Sequence, residues 1–63
     1  MELEDLKTIR LLLKQHSYYT ERILKYLPDM HPVRSAVLAA YTKIEKAIAL
    51  VERDIRTAEG GAP

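Results

Sequence analysis

Few side chains in this chain are able to do chemistry: two histidines, His16 and His31, no cysteine, and a cluster in which aromatic and basic groups alternate, Tyr18, Tyr19, Arg22, Lys25 and Tyr26. A histidine acts as a general base when a nucleophile lies within hydrogen-bond reach and a third group orients its ring. Ser17 follows His16 directly, but adjacent residues on a helix point about 100° apart, so the two do not form a nucleophile and base pair. The histidines have neither HxxxH nor HExxH spacing, and without thiolates a zinc site built by one chain lacks ligands. Asp29 and His31 share a short connector and could together bind a ligand, but capping of the following helix by Asp29, or plain solvent exposure, is the favoured reading. No glycine-rich loop precedes the tail, which removes the P-loop and the dinucleotide fingerprint. No catalytic residue, cofactor or metal is therefore expected, and the chain reads as non-enzymatic.

The aromatic and basic cluster supports two readings. Tyr18, Arg22, Lys25 and Tyr26, joined by Arg34 and Tyr41 across a subunit boundary, would stack a base and pair with phosphate, holding a nucleotide or RNA. The plainer reading divides the cluster: Tyr19 and Tyr26 flank a core, Arg22 and Lys25 are solvent-facing charges, and Tyr18 is a contact residue for a protein partner. Charge favours the second. Ten Lys and Arg against nine Asp and Glu leave a net charge of +1, and neither sign forms a run of five. Such a balance argues against a chain held to nucleic acid mainly by a charged face.

Two long segments must position these residues. Prolines and glycines cluster at Pro28 and Pro32 and again at Gly60, Gly61 and Pro63, which divides the chain into a first helix over about 2–27, a connector over 28–32, a second helix over about 32–58 and a flexible tail at 60–63. Glu2, Glu4 and Asp5 suit the positive end of the first helix dipole, and Glu21 and Lys25 make a favourable i,i+4 pair. Along that helix Leu6, Ile9, Leu13, His16, Thr20, Ile23 and Leu27 alternate at spacings of three and four, so they form one stripe, widened by Leu12, Tyr19 and Tyr26. Pro28 disfavours helical geometry at Leu27 and ends the helix there. Pro32 then fits the first turn of the second helix. That helix carries Val33, Val37, Tyr41, Ile44, Ile48, Val51 and Ile55 on one face, with Ala36, Ala40 and Ala47 beside it and an outward Glu52 and Arg56 pair. A connector this short joins antiparallel neighbours, so the fold class is all-α: an antiparallel two-helix hairpin.

Stability is the difficulty for such a fold. A domain of 63 residues buries only about 60% of the surface its unfolded chain exposes. At about 25 cal/mol per Å² of apolar burial, against about 1.5 kcal/mol per ordered residue, the balance lies near zero. Disulfides are excluded by the absence of cysteine, so self-association or a partner must help. Leu11 and Tyr18 on the first helix, and Leu38 and Leu50 on the second, fall off the main seams and would be wet in a lone hairpin. They are expected to mediate assembly into a four-helix bundle or larger helical oligomer, or contact with a helical partner. The longest apolar run, Leu11-Leu12-Leu13, is far short of the roughly 20 residues that cross a bilayer, and no signal peptide is visible, so a cytoplasmic, non-membrane location is expected.

Two resemblances sharpen these expectations. The stretch Tyr41-Thr42-Lys43-Ile44-Glu45-Lys46-Ala47-Ile48-Ala49-Leu50-Val51, with the opening Leu3-Glu4-Asp5-Leu6, resembles the small helical-hairpin co-chaperones that hold type III secretion needle subunits. That resemblance implies a cytoplasmic, non-catalytic hairpin keeping an assembly-prone subunit soluble on a larger helical-repeat chaperone, with Ile44, Ile48 and Val51 as contacts. Arg34 and the Ala49-Leu50-Val51 segment resemble phage helical-hairpin proteins that oligomerise and sequester cyclic-nucleotide signals of host defence. Plasmid RNA-regulating hairpins, which pair into four-helix bundles, are similar in architecture alone, and architecture does not imply function.

Overall fold

Residues 1–60 are described by the structure, a computed structural model, and they form two helices, α1 over Leu3–Tyr26 and α2 over Pro32–Ala58. They pack side by side as an antiparallel hairpin with extents of 46 × 19 × 15 Å. Beyond Gly60, the tail expected at 60–63 lies outside the described residues.

Local chemistry sets each helix end. Glu4 and Asp5 occupy the first turn of α1 and Lys25 its last, both favourable to the helix dipole. Leu27 is extended, at φ −91° and ψ 129°, as the residue before a proline prefers. The connector closes with the His31 amide donating to the Pro28 carbonyl at 3.0 Å. At the start of α2 the cap is His31 rather than the expected Asp29: its Nδ1 accepts from the Val33 amide at 3.1 Å, and Pro32 fills the first helical position. Asp29 is exposed in the connector, the alternative its position allowed. At the other end Gly60 adopts φ 82° while its amide donates to the Thr57 carbonyl at 3.1 Å, a left-handed stop that only glycine enters without strain.

The second helix presents the seam its sequence pattern predicts. Ile44, Ile48 and Ile55 are buried, with Ile55 only 2% exposed, and Val37, Tyr41 and Val51 are half-buried beside them. Val33 alone departs, being about half exposed, and Arg34 packs against the end of α1 beside it.

On α1 the seam is rotated by about one residue from the expected stripe. It runs Leu6, Leu13, Ser17, Thr20, Leu24 and Leu27, while His16, Ile23 and Leu12 face outward. The reason is polar satisfaction. A buried imidazole facing isoleucines would have no partner, at a cost of a few kcal/mol. Ser17 instead donates its hydroxyl to the Glu45 carboxylate, and Thr20 donates to the His16 carbonyl of its own helix at 2.8 Å. Both hydroxyls are small and satisfied, so they can be enclosed. Among the described residues no buried side-chain nitrogen or oxygen lacks a hydrogen-bond partner. Two ion pairs hold the same register, Lys7 to Glu59 at 3.5 Å and Lys14 to Glu52 at 3.6 Å. Glu52 thus pairs across the hairpin rather than with Arg56, and the expected Glu21 and Lys25 pair is not formed.

This seam leaves a thin core. Buried apolar side chains among the described residues are Leu6, Ile44, Ile48 and Ile55. The chain exposes 4958 Å², whereas a compact monomer of its 7.2 kDa mass is expected to expose about 4,100 Å².

Candidate functional site

An antiparallel helix pair has two edges beside its seam, and here they differ in chemistry. One edge is polar. Lys7, Lys14 and Ser17 of α1 meet Glu59, Glu52 and Glu45 of α2 along it. Residues three and four apart share a side of a helix, so the opposite edge of α1 runs through Ile9, Leu12, His16, Tyr19, Ile23 and Tyr26. By the same periodicity the opposite edge of α2 runs through Val33, Ala36, Ala40, Ala47 and Leu50. Because the polar edges adjoin, these two edges adjoin as well. They make one continuous flank on which Leu12 is 58% exposed, Tyr19 62%, Ile23 48% and Tyr26 79%. Nothing in the hairpin covers it.

The residues singled out from sequence for contact separate into groups. Leu11, Tyr18, Leu38 and Leu50 are exposed, as expected. They do not form one row: Leu50 belongs to the apolar flank, Leu11 and Tyr18 stand on the outer side of α1, and Leu38 lies toward the polar edge. Ile44 and Ile48, expected as partner contacts, are instead buried in the hairpin's own seam, where α1 already occupies them. Val51 is half-buried at the seam margin. Leu12, Tyr19 and Ile23, read from sequence as part of the internal stripe, are the exposed apolar residues of the flank. The signal that could have placed them is the alternative α1 stripe, in which Leu6, Leu13, Leu24 and Leu27 stand with two small hydroxyls, Ser17 and Thr20, that can be enclosed once hydrogen-bonded.

The ligand-binding set is not drawn together within one chain. The Arg22 guanidinium lies over the Tyr18 ring, 5.8 Å from its centre, and Tyr18 and Tyr19 meet edge to face at 5.4 Å. Those contacts turn the cluster inward on itself along α1. Lys25 and Tyr26 are exposed further along the same helix. Arg34 is engaged elsewhere: its Nη1 donates to the carbonyl of Leu24 at 2.8 Å, which also accepts from the Leu27 amide at 3.4 Å, and to that of Leu27 at 3.2 Å, at the end of α1. Tyr41 is half-buried in the seam. Shallow surface grooves among the described residues include one of about 320 Å³ lined by Met1, Leu6, Asp54 and Thr57 and one of about 390 Å³ at the connector lined by Asp29, Met30, His31, Arg34 and Leu38, where His31 is engaged as the α2 cap and Arg34 with the end of α1. Among the described residues no three His, Cys, Asp or Glu side chains are grouped to hold a metal ion, and no helix is long and apolar enough to cross a membrane. Compared with known proteins, the chain matches no family model, no curated protein and no solved structure.

Proposed function

We propose that this chain is a non-catalytic helical interaction module that works by docking its apolar flank onto another helical surface. The observation that carries this reading is the uncovered flank itself: Leu12, Tyr19, Ile23 and Tyr26 exposed in line on a hairpin whose internal seam encloses few apolar side chains. An exposed contiguous apolar surface on so small a fold marks a site of protein contact. The small core supplies the complementary reason, since association adds the burial that one hairpin lacks. An adaptor, a co-chaperone or a small regulator would each use such a surface. The nucleotide or RNA reading has no comparable support, because Arg34 is committed to the end of α1 and the remaining cations do not converge.

The test is a polar variant of the flank, Leu12→Ser with Ile23→Ser, compared with the unaltered chain by sedimentation and circular dichroism. Both residues lie outside the seam, so the variant is expected to lose assembly. An unaltered chain that stays monomeric at high micromolar concentration, with a melting temperature insensitive to dilution, overturns the reading.

A further inference from the structure

Which surface covers the flank can be argued from its shape. The α1 half of the flank is built of large side chains, Leu12, Tyr19, Ile23 and Tyr26, and the α2 half of small ones, chiefly Ala36, Ala40 and Ala47. Small residues let a facing helix approach closely, and large ones need such a gap to fill. The two halves are complementary to each other, yet within one chain they lie side by side and cannot interlock. A second copy turned about a two-fold axis parallel to the helices lays α1 of one chain along α2 of the other. Such a contact is isologous, so each large row meets a small row twice.

Register supports the same pairing. Lys14 with Glu52, and Ser17 with Glu45, set which residues of the two helices lie at equal height, and a two-fold axis along the helices preserves height. Tyr19 of one copy then falls level with the interval between Lys43 and Ala47 of the other, and Tyr26 with that between Ala36 and Ala40. Lys43 stands on the same edge of α2, where its ammonium can lie over the Tyr19 ring. The other face-to-face arrangement, with the two-fold axis across the helices, stacks α1 on α1 and sets tyrosine against bulky side chains and alanine against alanine.

Area and charge favour a second copy as well. Two separate hairpins expose twice 4958 Å², while a compact particle of twice the 7.2 kDa mass is expected to expose about 6,800 Å². Reaching that value buries about 1,500 Å² per copy, a total within the range of obligate homodimers. At a net charge of +1 per chain, two copies repel little. Between Ile9 and Tyr26 the α1 half of the flank carries no Asp, Glu, Lys or Arg; its polar groups are the His16 imidazole and the tyrosine hydroxyls, which must keep water or a partner at the rim, and the α2 half carries one charge of each sign, Lys43 and Asp54. We infer that the occupant of the flank is a second copy of this chain, packed as a two-fold antiparallel four-helix bundle with α1 of each copy against α2 of the other. This inference rests on the interaction-module reading and names its partner.

Site-directed crosslinking tests it, and the absence of native cysteine makes single-cysteine variants clean. Proteins carrying Ile23→Cys and Ala40→Cys are mixed, allowed to exchange and treated with a short bis-maleimide, beside a mixture of Leu12→Cys with Tyr19→Cys. The inference predicts a mixed crosslink for the first pair and little for the second. Crosslinking of the second pair alone, or of neither pair in a sample that sediments as a dimer, overturns the proposed geometry and leaves the flank as an interaction surface. A dilution-insensitive monomer overturns both the geometry and the reading beneath it. In a further arm Ala40→Trp, at a position exposed in the hairpin, should weaken dimerisation at least tenfold and raise by the same factor the concentration at which helicity is half lost; an unchanged dimer would refute the close approach at that position.

Discussion

Truncating Ile23 and Ile55 to alanine should have opposite signatures, and the contrast follows from where the two isoleucines sit. Ile55 is 2% exposed within the seam, and Ile23 is 48% exposed on the flank. Removing a buried isoleucine costs about 2–5 kcal/mol through lost transfer energy and a residual cavity. The whole stability of a chain this size is on the order of 3–9 kcal/mol, so Ile55→Ala should lose much of its helicity at any concentration. Ile23 has about half of its surface still to bury. Full burial of an isoleucine is worth about 1.5–3 kcal/mol, so covering its exposed half adds about 1 kcal/mol per copy and about 2 kcal/mol per symmetric dimer. At about 1.4 kcal/mol per tenfold, Ile23→Ala should weaken the dimer Kd about thirtyfold. Sedimentation equilibrium gives the Kd, and circular dichroism across a dilution series separates lost association from lost folding. An Ile23→Ala dimer within twofold of the unaltered Kd, beside an Ile55→Ala chain that unfolds as expected, would refute a covered flank.

Two further outcomes test the hairpin itself. Arg34→Ala removes both hydrogen bonds from its guanidinium to the Leu24 and Leu27 carbonyls; it should destabilise the fold by about 1–3 kcal/mol in urea unfolding, and Arg34→Lys should recover only part of this, because one ammonium does not reproduce the guanidinium's planar fork. His31→Ala deletes the side chain that accepts from the Val33 amide and should cost about 1 kcal/mol, read as a lower urea midpoint with an unchanged slope.

The fold was largely legible in the residues, and the flank was not, for a physical reason. Pro28 and Pro32 fix the ends of the two helices, and the α2 isoleucines repeat with one period that admits a single seam. On α1 two stripes compete. They share Leu6, Leu13, Thr20 and Leu27; one adds Ile9, His16 and Ile23 with Leu12 and Tyr19 beside them and is richer in apolar surface, and the other adds Ser17 and Leu24 and is poorer. Hydrophobic periodicity chooses the richer stripe for the interior. The hairpin encloses the poorer one, because Ser17 finds Glu45, and Lys7 and Lys14 find Glu59 and Glu52, only in that rotation. Those partners are more than 25 residues away in sequence, so a helix read alone cannot reveal them. Leu12, Tyr19 and Ile23 are thereby turned outward. Arg34 shows the same limit: as a single letter it suggests a phosphate contact, and only the antiparallel return brings it to the Leu24 and Leu27 carbonyls at the end of α1.

Helicity measured against concentration addresses the central claim most directly, with sedimentation run on the same samples. If the outward stripe is completed by another molecule of this chain, dilution should convert a stable dimer into a weakly helical monomer, and the melting temperature should fall steadily as the protein is diluted. Full helicity and a constant melting temperature down to nanomolar concentration, with monomer mass throughout, would contradict it.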